Sequence, residues 1–212
     1  MVLIALPPPD ASPDPIIFTV AVGSRLIRLF DPTRHWKPGP LTFNFNGPRS
    51  RFDHHRPAAP GSSSPYADDP DRGVYYAAFT LSCCLAEVFG DYRLIDRPRL
   101  NIAYPKVTRS LNLLDLCGNG AMRAGSVAAL CGTADRQMSQ VWARYFYEDP
   151  VFRACDGLRY HSAHNNESVV LLFERARNAL RCPRSHVIAI NDPLLRSEIQ
   201  HIASEHNMTV LI

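Results

Sequence analysis

At 212 residues, with 46% hydrophobic and 20% charged residues, the chain has enough apolar material to bury a core without disulfide staples. Its 23 lysines and arginines against 20 acids leave a net charge of only +3, too small and too dispersed for a nucleic-acid footprint. No stretch approaches the roughly 18 apolar residues of a membrane-spanning helix, and the start MVLIALPPPDASPDP lacks the basic lead of a signal peptide.

Residues 1–15, cut by prolines, read as a loose lead-in, and 16–212 as a single domain. IIFTVAV (16–22) is β-branched and predicts a strand. SRLIRLF (24–30) predicts a second, with Arg28 set among Leu26, Ile27, Leu29 and Phe30. Residues 48–73 are rich in Pro, Ser, Gly and Asp and predict a long surface loop of the kind that carries function or stays disordered. GVYYAAF (73–79) resumes as a strand, and TLSCCLAEVFG (80–90) reads as a helix capped by Thr80. Leu81, Cys84, Leu85, Val88 and Phe89 form its apolar stripe; at about 100° per residue Glu87 falls near the edge, where a helix meets a cleft.

LNIAY (100–104) and SLNLLDL (110–116) predict strands, and the Ala-rich NGAMRAGSVAALCG (119–132) a helix. ADRQMSQVWARYFYED (134–149) has the strongest helical pattern, with Met138, Val141, Trp142, Tyr145 and Phe146 on one face and Thr133 as its cap. DGLRYHSAHNNESVVLLFERA (156–176) predicts strand, polar turn, strand. HVIAI (186–190), a helix opened by Asp192 and Pro193 that buries Leu195, Ile199, Ile202 and Ala203, and MTVLI (208–212) complete the chain. Short strands interspersed with helices predict an α+β fold. The six cysteines, Cys83, Cys84, Cys117, Cys131, Cys155 and Cys182, contain no C-x-x-C pair and read as reduced thiols of a cytoplasmic protein.

Five side chains are candidates for chemistry. Arg28, inside an apolar strand, needs an anionic partner: a ligand phosphate, or Glu87 or Asp53 in a plain ion pair. Arg51 stands at the lip of the long loop. Tyr76 and Glu87 lie on a strand and on the helix that follows it. Ser162 sits in a polar turn. Taken singly, each has an ordinary structural reading as ion pair, core tyrosine, solvated helix glutamate or turn serine. His54, His55, His161 and His164 have no acidic or cysteine partner at motif distance and read as solvated loop histidines, so no metal site is expected. The chain has no P-loop, G-x-G-x-x-G or G-x-S-x-G.

Taken in order, these segments resemble the RES domain, named for an arginine, a glutamate and a serine. LIRLF carries Arg28 in the family's first strand; Arg51, Phe52 and Asp53 match R-[FW]-[DN]; GVYYAA carries Tyr76; CLAEVF carries Glu87 in A-x-x-E. DGLRYHS matches D-G-[IL]-x-Y-x-S with Asp156, Gly157, Tyr160 and Ser162, and VVLLFER gives the strand ending in L-F. Ser139 and Gln140 match the S-Q pair of the preceding helix. The likeness covers 24–176; the loop between Arg51 and Tyr76 is longer than the pattern, and 183–212 reads as a C-terminal extension.

The resemblance implies an ADP-ribosyltransferase-like fold and the toxin half of a bacterial toxin–antitoxin pair. It implies attack on NAD+ at the nicotinamide–ribose bond, with NAD+ as substrate rather than cofactor and inorganic phosphate as co-substrate. Glu87, Arg28 and Ser162 would be the catalytic residues, with Arg28, Arg51, Tyr76 and Ser162 binding the dinucleotide. The implied partner is an Xre-type helix-turn-helix antitoxin, with no direct nucleic-acid or membrane contact; a homodimer stays open. A mono-ADP-ribosyltransferase would use the same site on a protein acceptor. A ribonuclease-type toxin would call for a basic stripe, which the charge balance disfavours. Retention of all three named residues disfavours a non-catalytic binding module.

Overall fold

In the computed structural model, which describes residues 2–62, 64 and 66–212, strands fall where side chains alternate between two faces. In chain order the framing elements are strands β1 (Ile17–Val20), β2 (Arg28–Phe30) and β3 (Val74–Ala78), then helix α1 (Leu81–Phe89). Strands β4 (Asn101–Ala103) and β5 (Leu111–Asp115) and helix α2 (Arg136–Glu148) follow. Strands β6 (Gly157–His161), β7 (Ser168–Phe173) and β8 (Val187–Ala189) and helix α3 (Arg196–Glu205) complete the frame. Short strands mixed with packed helices make the α+β class expected from the sequence.

The main sheet runs β1-β5-β6-β7-β3. Its pairs are antiparallel except β5–β6, where Gly157 lies level with Leu113 and Leu158 with Leu114. A parallel pair needs a long crossover, and this one carries α2. Both faces are buried. Leu171 and Phe173 meet Trp142, Phe146 and Phe152 on one side; Val170 and Leu172 meet Tyr75, Leu111 and Leu113 on the other.

A second sheet, β8-β4-β2, is antiparallel. It joins the main sheet at Ile27 and Ala78, whose backbones exchange hydrogen bonds of 2.8 and 2.9 Å. Helix α1 packs on this seam through Leu81, Leu85 and Phe89, in one cluster with Ile199, Ile202 and Ala203 of α3. Thr80 caps α1 as its sequence predicts, its hydroxyl accepting from Cys83 N at 3.0 Å. Val88 of the expected stripe is only partly buried, and Cys83 and Ala86 are buried beside it. All six cysteines are free thiols. Among the described residues, no helix is long and apolar enough to cross a membrane.

Four expectations need correction. The 48–73 segment is not a surface loop throughout: Phe52, Asp53, His54 and His55 are fully buried, and exposure dominates from Arg56 to Asp71, where Asp69 alone of the described residues is buried. His54 and His55 are therefore not solvated. The His54 ring lies 4.2 Å from Tyr147 and 4.6 Å from Phe173, and Nε2 bonds Glu174 Oε2 at 3.1 Å. His55 Nε2 donates to the Asn44 carbonyl at 3.0 Å. The span 119–132 is not one helix: Gly120–Arg123 and Ala128–Cys131 are short helical pieces, separated where Gly125 turns to a φ of +88°. Helix α2 is capped by Asp135, which accepts from Met138 N at 3.0 Å; Thr133 instead accepts from Asp135 N. Residues 2–15 take no helix or strand, and they rest on the domain where Trp142 Nε1 donates to the Ala5 carbonyl at 2.9 Å and Ile4 packs on the core.

Candidate functional site

A cleft of about 620 Å³ opens at the seam of the two sheets, a volume suited to a small organic ligand. Arg28 reaches it from β2, Arg51 from the following loop, Tyr76 from β3, and Glu87 and Asp91 from the end of α1. Arg136 enters from the first turn of α2 and His164 from the turn between β6 and β7. Four of the five candidate residues thus line one cavity, and the fifth, Ser162, touches it through Glu87.

Glu87 lies on the exposed side of α1, off the buried stripe. Ser162 Oγ donates to Glu87 Oε1 at 2.5 Å. Ser162 is itself only 4% exposed and fixed on all sides. Its N–H donates to the Glu167 carbonyl at 2.8 Å, its carbonyl accepts from Asn166 N at 3.1 Å, and its hydroxyl accepts from His164 N at 3.1 Å. Oε1 is thereby held from behind, while Oε2 has no hydrogen bond from the described residues.

The arginines are held differently. Arg28 Nη1 donates to the Thr42 carbonyl at 2.8 Å, and its guanidinium lies 4.2 Å over the ring of Tyr75. Arg51 Nη1 donates to the Thr133 carbonyl. Among the described residues no carboxylate stands within 4.0 Å of Arg28, Arg51 or Arg136. The ion pair of Arg28 with Glu87 or Asp53 that the sequence left open does not form. Burial pulls the Arg28 pKa below its ordinary value, the response of a cation short of a counter-ion.

Asp53 is fully buried and serves Tyr76. Its Oδ1 accepts from the Tyr76 hydroxyl at 2.8 Å, and Oδ2 accepts from Arg49 N and Ser50 N at 2.7 and 2.8 Å. Burial pushes the Tyr76 hydroxyl well above the usual phenol range, so it stays protonated and donates to Asp53, while Tyr76 lines the cleft. Gln140 Nε2 clamps this strap, residues 49–55, through the Ser50 carbonyl at 3.0 Å, whereas Ser139 bonds back to its own helix at Arg136 O, 3.1 Å away. The polar contact to Glu87 is therefore Ser162, and the S-Q pair serves the strap that carries Arg51. Cys84 also lines the cleft, but burial pushes its thiol pKa far up, which leaves it a poor nucleophile.

Sequence reasoning missed Asp91, Arg136 and His164. Asp91 was findable, because it follows Glu87 by one helical turn. Arg136 is one of several scattered arginines in the sequence. His164 was weighed only as a metal ligand; it sits directly on Gly90, with Nε2 3.7 Å from Asp91 Oδ1. Among the described residues no three His, Cys, Asp or Glu side chains converge as a metal cluster.

This arrangement can be set beside known proteins. The fold is similar to that of a chain in the crystal structure of the M. tuberculosis MbcT–MbcA toxin–antitoxin complex, with a TM-score of 0.51 at 14% identity over 86% of this chain and 92% of that one. No curated protein matches. The RES domain model matches residues 25–195, a span that holds Arg28, Arg51, Tyr76, Glu87 and Ser162. The chain belongs to the RES domain family.

Proposed function

We propose that the protein is the toxin of a toxin–antitoxin pair and degrades NAD+ by cleaving its nicotinamide–ribose bond, with inorganic phosphate as acceptor. The observation that carries this reading is the polarity of the cleft. Three arginines without carboxylate partners enter from β2, the following loop and α2, while Glu87 and Asp91 enter together from the end of α1. NAD+ is polarised in the same sense, with an anionic diphosphate and a cationic nicotinamide ring. Arg28 and Arg51 would grip the diphosphate, for which the planar guanidinium fork is suited. The ribose C1 then faces Glu87, and the Tyr76 ring flanks the nicotinamide.

Cleavage passes through an oxocarbenium-like state. The C1–N bond breaks, its electron pair returns to the pyridine nitrogen, and nicotinamide leaves neutral, so no strong general acid is required. Glu87, with Oε1 fixed by Ser162, presents Oε2 to the positive charge that develops on the ribose or to its 2-hydroxyl. A phosphate oxygen bonds to C1 and yields ADP-ribose 1-phosphate. A fixed carboxylate needs little reorganisation as the charge develops. The toxin role and an Xre-type antitoxin partner rest on family membership and on a fold shared with a chain of a toxin–antitoxin complex.

The test is incubation with NAD+ with and without phosphate, followed by chromatography and mass analysis of the products. Nicotinamide and ADP-ribose 1-phosphate in equal amounts, with loss accelerated by phosphate, is the expected result. NAD+ left intact by folded protein would sink the assignment; ADP-ribose attached to protein would change the acceptor.

A further inference from the structure

The activity proposed above gives no task to Glu167, which lies at the end of the turn joining β6 to β7 and does not line the cleft. It is partly buried, and no cation stands at ion-pair distance among the described residues. Its carboxylate is nonetheless fully engaged. Oε2 accepts from Thr80 Oγ1; Oε1 accepts from Ser82 Oγ and Asn165 Nδ2, each at 2.5 Å. Its backbone carbonyl accepts from Ser162 N at 2.8 Å.

Thr80 is the cap of α1 and Ser82 belongs to its first turn. The carboxylate therefore sits at the positive end of the helix whose other end carries Glu87. The turn is tied to α1 at two points. Glu167 holds it to Ser82, and Ser162 meets Glu87 about 7.5 Å further along the helix axis, five residues at 1.5 Å each. A third tie comes from outside the matched span, which ends at residue 195. His206 Nδ1 donates to the Ile202 carbonyl at 2.9 Å, which leaves Nε2 to accept from Asn165 Nδ2 at 3.3 Å.

We propose that Glu167 is a positioning residue for this site. It locks the β6–β7 turn onto the first turn of α1, so that the Ser162 hydroxyl arrives at Glu87, and α3 steadies the lock through His206 and Asn165. The role rests on the function proposed above. It acts on the carboxylate wall alone, because none of these bonds reaches Arg28 or Arg51.

A double-mutant cycle tests it, with kcat and KM for NAD+ measured on wild type, Glu167→Ala, Ser162→Ala and the pair. Glu167→Ala should lower kcat by tenfold or more, up to about a hundredfold, with KM unchanged. In the Ser162→Ala background the same change should cost nothing further. Glu167→Gln should recover part of kcat, since its amide oxygen still accepts from Ser82. Wild-type kcat in Glu167→Ala, additive losses in the pair, or KM rising as kcat falls would each overturn the role. If Glu167→Ala does not fold, Ser82→Ala, which removes the same tie from the helix side, takes its place in the cycle. An inert wild type would defeat the NAD+ reading and this role together, whereas an active wild type with additive losses would defeat the positioning role alone.

Discussion

Glu87 and Arg28 face the same cleft, yet one is locked by a partner side chain and the other is left short of a counter-charge. On the carboxylate wall, Ser162, Glu167, Asn165 and the cap of α1 form a closed set of hydrogen bonds. On the arginine wall, the polar and aromatic partners of Arg28 and Arg51 among the described residues are neutral carbonyls and the Tyr75 ring. A group that meets the reacting atom gains from being fixed before substrate arrives. A group that meets substrate charge gains from having none of its own charge cancelled. The two walls therefore respond differently to substitution.

The contrast breaks most completely at Glu87. Glu87→Gln keeps the shape but removes the charge, and turnover should fall by at least about a hundredfold. Because Glu87 is exposed, melting should move little, within about 0.5 kcal/mol of stability. A collapse of melting temperature together with activity would make Glu87 structural.

Asp53→Ala comes next and acts through the strap. It strands the buried Tyr76 hydroxyl and takes the acceptor from the backbone N–H groups of exposed Arg49 and Ser50, at a cost of roughly 1–3 kcal/mol by chemical denaturation. Unchanged stability would show that Asp53 does not organise the arginine wall.

Arg28→Lys sharpens the comparison without changing the charge. An ammonium cannot reproduce the bidentate fork, so ADP-ribose should bind about tenfold more weakly by calorimetry, while kcat at saturating NAD+ changes less. Wild-type affinity in both Arg28→Lys and Arg51→Lys would place the diphosphate elsewhere.

The smallest effect is on pH. Burial, opposed by the hydrogen bond to Glu174, holds His54 below its ordinary imidazole value of 6.5. The unfolded chain therefore binds a proton that the folded chain resists, and this stability is present above pH 6.5 and lost as pH falls below it. Glu174 adds in the same direction. Burial raises it, but hydrogen bonds from His54 and Tyr147 outweigh this and hold it below the usual carboxylate value, so its share is lost at lower pH still. Urea midpoints at pH 7.5, 6.5 and 5.5 should fall in that order, and His54→Gln should flatten the step from pH 6.5 to 5.5. A midpoint that holds steady down to pH 5.5 would show that the strap is not anchored through a neutral His54.

The elements with a clear period were legible in the sequence. The 2-residue alternation of β6 and β7 and the Thr80-capped stripe of α1 follow from local sterics, and Glu87 fell off that stripe as read. Arg28, Arg51, Tyr76, Glu87 and Ser162 were found because motif order carries long-range information that composition lacks. The buried strap was not legible. Pro, Ser and Gly in the 57–64 stretch that follows it dominate the composition of the 48–73 segment, while the burial of His54 depends on Tyr147, Phe173 and Glu174, all about a hundred residues away. Arg136 and His164 were missed for the same reason: only the seam between the sheets brings them to one cavity. Gly125 broke the expected helix because a single φ of +88° outweighs the helix propensity of the alanines around it.

The parallel pairing of β5 with β6 also bears on when the site comes into being. Glu87 and Ser162 are 75 residues apart, and β7 must lie between β6 and β3 before they can meet. A chain leaves the ribosome N-terminus first. The arginines and Glu87 therefore emerge long before the serine, and β3, which carries Tyr76, waits for β7 as its neighbour in the main sheet. For a toxin of the proposed kind, the nascent chain passes through most of its synthesis unarmed. Any truncation product that stops before β7 lacks Ser162 in its place, whatever else it has folded.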